Sequence, residues 1–470
     1  MTRDSDLWKF TITEAARLIQ SKQISPVDLI KSHLDRIKST EKQLNSFISV
    51  LSEKSLEEAK IAEKEISSGN YKGPLHGMPI GIKDLFHEAQ TKTTAGSKIY
   101  GSDYSTETSY MVSQLKADGA ITIGKTQMHE FGMGATSLNP HYGPSRNPWD
   151  NSKMTGGSSG GSGSSVASRQ SKAAIGSDTG GSVRIPSALC GIVGIKPTFG
   201  TISRSASFAM SWSQDTPGPM AQNVTDCAIM LKSIAKHDPS DYNSAKFTPV
   251  DYYKDLKASV DNIRIGIPDS FFFDIIDEEV KKAVFEAAAV LKSLGAEVFE
   301  VKLELIEKSL DISTIIINAE ASEIHSKDLE NHASELDPGS RWRVELGNFV
   351  SAVDYLRAQR ARSAFIKGLN TTFEKVDLLL TPTMPVLAPG LDEKEILIKG
   401  KKEDPLPLLS RLTRPFNLSG HPAISLPCGF SNSGLPIGLQ LVAPYFKEQS
   451  LLDVGLSFEN ATDWIRQPSL

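Results

Sequence analysis

Between Gly156 and Arg184 the chain reads GGSSGGSGSSVASRQSKAAIGSDTGGSVR, two Gly-Ser clusters separated by a short apolar stretch. The first cluster runs from Gly156 to Ser162 and the second from Thr179 to Ser182. Paired glycines leave backbone N–H groups unshielded and let the chain turn so that several donors aim at one point. Such donors beside a serine hydroxyl form an oxyanion hole next to a nucleophile. The chemistry this suggests is acyl transfer, with Ser182 as the candidate nucleophile.

A Gly/Ser-rich run can also be a flexible tether. Two features oppose that reading. The second cluster leads directly into the apolar run Ile185–Ile195, which suits a buried core. Asp178 and Arg184 bracket the Thr-Gly-Gly-Ser turn, and a buried turn needs such partners for its backbone groups.

A serine hydroxyl needs a base to become a nucleophile. Nine histidines are present, of which His129 and His421 sit in loop-like contexts, but neither belongs to a recognised Ser/His pattern. Lys83 is the alternative. It ends the strand-like segment Met78–Lys83, which is otherwise wholly apolar, and an apolar setting favours the neutral amine.

A competing motif is present. Gly119–Thr126 fits the phosphate-loop pattern G-x-x-x-x-G-K-[ST], yet its intervening residues are Ala120, Ile121, Thr122 and Ile123, which prefer extended structure. Nor is an apolar strand ending in aspartate for magnesium read: Asp377 precedes its leucine run instead of following it. Nucleotide binding is therefore not expected.

Helical patterns fill the first seventy residues: one begins near Thr13, a second at Ser25-Pro26, and a charged third spans Ser55–Ile66. Strand signals follow at 78–83, 120–125, 263–267, 296–301, 376–380 and 423–427, with a helix carrying Val280, Val284, Ala287 and Leu291 on one face. The alternation predicts an α/β fold, a single large domain with a mixed, mostly buried central sheet covered by helices on both faces. One domain is expected over 1–470, with the helical segment 1–70 packed onto it. Segments 236–262 and 388–406 read as surface excursions.

The 470 residues are 39% hydrophobic and 23% charged, with a net charge of −5. That charge opposes nonspecific binding to nucleic acid or anionic lipid. Cys190, Cys227 and Cys428 form no C-x-x-C pair, so neither a disulfide framework nor a metal site is expected. No signal peptide or membrane span is read, and the expected compartment is the cytoplasm.

Taken together, these residues resemble the amidase signature family. The motif matches across Gly156–Ala188, and the likeness continues through Tyr142–Asp150, Gly194–Thr198 and Gly434–Gln440. The resemblance implies a triad of Lys83 as base, Ser158 as a bridging serine after a cis peptide bond, and Ser182 as nucleophile. It also implies an oxyanion hole from the N–H groups of Thr179, Gly180, Gly181 and Ser182, with Ser159, Asp178 and Arg184 bracing the loops. No cofactor or metal is implied.

Two functions follow from the family. One is a free-standing amidase that converts a carboxamide to carboxylate and ammonia, alone or as a homodimer. The other is the glutaminase component of an aspartyl/glutamyl-tRNA amidotransferase, its A subunit, which works with the other amidotransferase subunits. Gln127–Phe131 departs from that component's Asn-Met-Asp-Glu-Phe, Leu409–Asn417 lacks its aspartate, and Ala319–His325 resembles free-standing amidases. Ala358–Arg362 instead aligns with an arginine that holds the glutamine carboxylate in the glutaminase component, although Arg362 could equally pair with Glu345 or Glu374. The expectation is the free-standing amidase, with Phe131, Met133, Met210, Trp212 and Phe416 as unplaced pocket candidates.

Overall fold

Ser25 caps the helix Pro26–Leu44 by accepting from the Asp28 N–H, and the Asp28 carboxylate answers the Ser25 N–H. Thr11 and Glu14 make the same reciprocal cap on the helix Ile12–Gln20. These helices bury Ile12, Ala15, Ile19 and Leu29 in the cluster that holds Ile80, Ile175 and Val193 of the central sheet. The third helix is longer than its charge pattern implied, Ser52–Ser67, and it buries Ala59, Ala62 and Ile66. The computed structural model describes residues 4–470, so the first three residues of the helical segment expected at 1–70 lie outside the described residues.

Among the described residues the sheet has eleven strands: β1 (Phe47–Val50), β2 (Pro79–Lys83), β3 (Ile121–Thr126), β4 (Ala173–Asp178), β5 (Val193–Lys196), β6 (Thr216–Ala221), β7 (Arg264–Pro268), β8 (Glu297–Val301), β9 (Leu378–Pro382), β10 (Ala423–Phe430) and β11 (Pro436–Val442). Their spatial order is β1-β3-β2-β4-β6-β5-β10-β11-β9-β7-β8. The sheet mixes parallel pairs (β3/β2, β2/β4, β9/β7, β7/β8) with antiparallel ones, and helices flank it. The helix Glu278–Ser293 lays Val280, Val284, Ala287 and Leu291 on the core, as its periodicity predicts. Among the described residues no helix is long and apolar enough to cross a membrane.

Two readings change and one holds. β1 lies inside the stretch expected to be wholly helical; four residues between two helices are too few to show a period of two. Segment 388–406 is no plain surface excursion, because it holds the hairpin Ile396–Glu403 and leads into the helix Pro405–Ser410. The phosphate-loop pattern forms β3 itself, and its Lys125 Nζ lies 3.0 Å from the Asp84 carboxylate.

The Gly-Ser clusters are not a tether. From Gly156 to Arg184 every residue is buried except the partly exposed Arg169 and Gly180. The first cluster becomes the helix Gly160–Ala167, whose small residues let it press against neighbouring backbone. A Cβ at Gly161 would fall inside contact distance of the Ser46 carbonyl oxygen and the Gln127 amide nitrogen, which cannot swing aside. Gly161→Ala is expected to cost about 1–3 kcal/mol of stability through overpacking, read as a lower thermal unfolding midpoint than the parent.

Candidate active site

Parallel pairing sets the site. Ile82 of β2 lies opposite Ile175 of β4, so the two strands release Lys83 and Ser177 at the same carboxyl end of the sheet. Lys83 Nζ donates to Ser177 Oγ at 2.8 Å and lies 2.7 Å from Ser158 Oγ. The Gly157–Ser158 peptide bond is cis. The Ser158 carbonyl accepts from the His129 N–H at 3.1 Å and from Ser137 Oγ at 3.2 Å, which fixes the serine from behind.

Ser159 joins the pieces. Its N–H donates to the Ser182 carbonyl at 3.3 Å, and its Oγ donates to the Ser177 carbonyl at 3.2 Å while accepting the Ser177 N–H at 3.3 Å. One backbone contact thus places Ser182 beside the segment that carries Ser158. Lys83 and Ser158 are sealed from solvent, whereas Ser182 lines a cavity of about 330 Å³ together with Thr179, Gly180, Ile185 and Met210.

Burial pulls the Lys83 ammonium down to about 7, against the opposing pull of Asp178 and Asp215. A large fraction of neutral amine is then present near neutral pH, with one N–H committed to Ser177 and its lone pair available to Ser158. The histidines are engaged elsewhere. The ring of His129 faces Thr136 and, at 3.9 Å, Asp337, and burial lowers it to about 4. His421 stacks on Tyr445 at 4.0 Å and bonds Asn370 at 3.0 Å.

The second cluster is held by a buried ion pair. Arg184 meets Asp178 through Nε and Nη2, both at 2.9 Å, and spends its other N–H groups on the Thr413 carbonyl, Gln440 Oε1 and Asn417 Oδ1. The Asp178 carboxylate also takes the N–H groups of Gly181 and Val183 at 2.8 and 3.2 Å. Burial raises this carboxyl, but Arg184 outweighs it and the group is held down to about 2.

That geometry corrects one expectation. The Gly181 N–H points to Asp178 and Gly181 does not line the cavity, so Thr179, Gly180 and Ser182 remain as the candidate oxyanion donors. Gly181 is needed for another reason: its φ is +124°, and a Cβ there would strike Thr413 Oγ1. Arg362 also departs from expectation. It donates to the carbonyls of Leu418 and Ser213 at 2.7 and 2.8 Å, pairing with neither Glu345 nor Glu374.

Of the unplaced candidates, Met210 lines the cavity, Phe131 lines a smaller adjoining one, Phe416 packs on Phe272 in the core, and Trp212 is exposed. The Met133 carbonyl accepts from Arg343 at 2.8 Å. Sequence reasoning missed Ser177, Asp215, Asn417 and Gln440. Asp215 accepts from Thr179 Oγ1 at 2.6 Å and so fixes the start of the turn. Gln440 did carry a signal, a lone amide in the apolar run Ile437–Val442.

The profile of the Amidase family matches residues 28–452. The chain belongs to that family. It is an amidohydrolase by the same evidence, and its sheet is the one the family resemblance implied. A curated relative from Geobacter sp. (strain M21), the A subunit of a glutamyl-tRNA(Gln) amidotransferase, is 37% identical over 98% of this chain and 98% of its own. A solved protein from a vestigial complex described as revealing the origins of an s-triazine catabolic enzyme superposes with a TM-score of 0.92 at 32% identity, covering 96% and 98% of the two chains. The corresponding glutamyl-tRNA(Gln) amidotransferase component of Thermotoga maritima superposes at 0.82 with 32% identity, covering 98% of each.

Removing one partner from a buried pair strands the other charge. Arg184→Met is expected to destabilise the protein by about 3–5 kcal/mol, seen as a shifted urea unfolding curve.

Proposed function

We propose that this amidohydrolase cleaves a carboxamide to carboxylate and ammonia with Ser182 as nucleophile, Ser158 as relay and Lys83 as base. The observation that carries the reading is the sealed Lys83 amine at 2.7 Å from Ser158 Oγ, beside the cavity that Ser182 lines. Neutral Lys83 takes the Ser158 proton as Ser158 takes that of Ser182, and Ser182 Oγ bonds to the carbonyl carbon. The N–H groups of Thr179, Gly180 and Ser182 receive the oxyanion. Collapse breaks the C–N bond as the proton returns through Ser158 to the leaving nitrogen, releasing ammonia. Water then hydrolyses the acyl ester by the same relay in reverse.

For the physiological setting we favour the glutaminase component of a glutamyl-tRNA(Gln) amidotransferase. Curated relatives that bear the name of that enzyme's A subunit, at 36–38% identity across nearly the full chain, support it and outweigh the sequence motifs that favoured a free-standing enzyme. Two observations keep the free-standing amidase as the second reading. Leu409–Asn417 offers no carboxylate, and Arg362, in the segment aligned with the glutamine-binding arginine, is consumed by two backbone carbonyls. Purified protein assayed for ammonia release from glutamine and from simple amides separates them: turnover without partners supports the second reading, and turnover only with added subunits and charged tRNA supports the first.

Ser182→Ala and Lys83→Ala are each expected to abolish amide hydrolysis while the protein stays folded; normal turnover by folded Ser182→Ala overturns the assignment. Because the base is the neutral amine, kcat/KM is expected to fall as pH drops through about 7 and to level off above it. A pH–rate profile checks this.

A further inference from the structure

The cavity wall facing Ser182 carries two guanidinium groups, Arg343 and Arg414, against one carboxylate, Asp404. Among the lining residues this is a positive excess, and the charge of Asp337, outside the lining, acts on Arg343 and not on Arg414. Among the described residues Arg414 meets only neutral hydrogen-bond partners: Nη1 donates to Thr314 Oγ1 at 3.0 Å and Nη2 to Ser410 Oγ at 2.8 Å. Its Nε is buried with no hydrogen-bond partner. Arg343 donates to the Met133 carbonyl. Asp404 is occupied in part as the cap of the helix Pro405–Ser410, accepting the Leu406 N–H at 2.8 Å.

A partly desolvated guanidinium with uncharged partners is costly unless an anion completes it. Nε is closed off, so an anion would meet the second N–H groups of Nη1 and Nη2, which these bonds leave unspent. The position of the gap is informative. A Cβ built on Gly180 would lie 3.6 Å from Arg414 Nε, so the guanidinium sits over the turn that supplies the oxyanion donors. A ligand anion meeting it would stand a few bonds from the scissile carbonyl.

Building on the amide-hydrolysis reading, we propose that Arg414, assisted by Arg343, recognises a substrate carboxylate, so that the enzyme acts on amides bearing a carboxylate close to the cleaved bond. Planar, bidentate pairing suits arginine to that task. Monoamides of short dicarboxylic acids and glutamine share this chemistry; only glutamine adds an ammonium group.

The test compares succinamate, its neutral counterpart butyramide, and glutamine on wild type, Arg414→Gln and Arg414→Lys, with calorimetric binding of succinate as a readout that needs no turnover. Wild type is expected to prefer succinamate. In Arg414→Gln the preference for succinamate over butyramide falls about 30-fold or more, through KM, and succinate binding weakens in parallel. Arg414→Lys recovers part of both, which separates lost recognition from misfolding. Equal use of succinamate and butyramide by wild type, or succinate binding unchanged in Arg414→Gln, overturns the proposal. Arginine-dependent succinate binding without hydrolysis of any amide supports the anion site and sinks the hydrolase reading instead. Glutamine turned over far better than succinamate identifies the zwitterion as the carboxylate source.

Discussion

A carboxylate and a guanidinium, both shut away from water, face each other across the Thr179–Ser182 turn. Neither could stay charged there alone. Arg184 satisfies Asp178 through a two-pronged contact, and Asp178 in turn anchors the N–H groups of Gly181 and Val183. The turn is therefore shaped from inside by a charge that has nowhere else to go. Its remaining N–H groups, on Thr179, Gly180 and Ser182, border the cavity. A pair of this kind adds little net stability over a well-packed apolar equivalent, and its value here is geometric.

The same dry interior acts on Lys83 in the opposite sense. Asp178 and Asp215 are near enough to favour the ammonium, yet neither makes a salt bridge with it, and desolvation prevails. A direct carboxylate contact would have fixed the proton on nitrogen. Hydroxyl neighbours on Ser158 and Ser177 orient the amine without doing so. Polar but uncharged surroundings make a lysine usable as a base.

Much of this was legible in the chain. The Gly-Ser clusters, the acid and base bracketing the second one, and the lysine closing an apolar strand all lie in short local segments where residue type constrains conformation. The six strand signals and the Ser-Pro helix start were readable for the same reason. What escaped depends on contacts between distant segments. Ser177 matters because β2 and β4 run side by side, and nothing in either strand alone states that. The family resemblance implies the Gly181 N–H as an oxyanion donor; only the fold shows Asp178 taking it. Arg414 and Arg343 reach the cavity from helices some seventy residues apart in sequence, beyond the range of any motif.

The clamp on Arg184 draws Thr413, Asn417 and Gln440 from more than two hundred residues downstream. A ribosome making this protein has long since released the serines and the lysine when those acceptors emerge. Until then the guanidinium lacks three of its partners, and the turn beside Ser182 has its contacts with Asp178, but not that clamp, to hold its shape. On the proposed mechanism, hydrolytic competence is thus deferred until late in synthesis, so a growing polypeptide carries its proposed nucleophile unarmed.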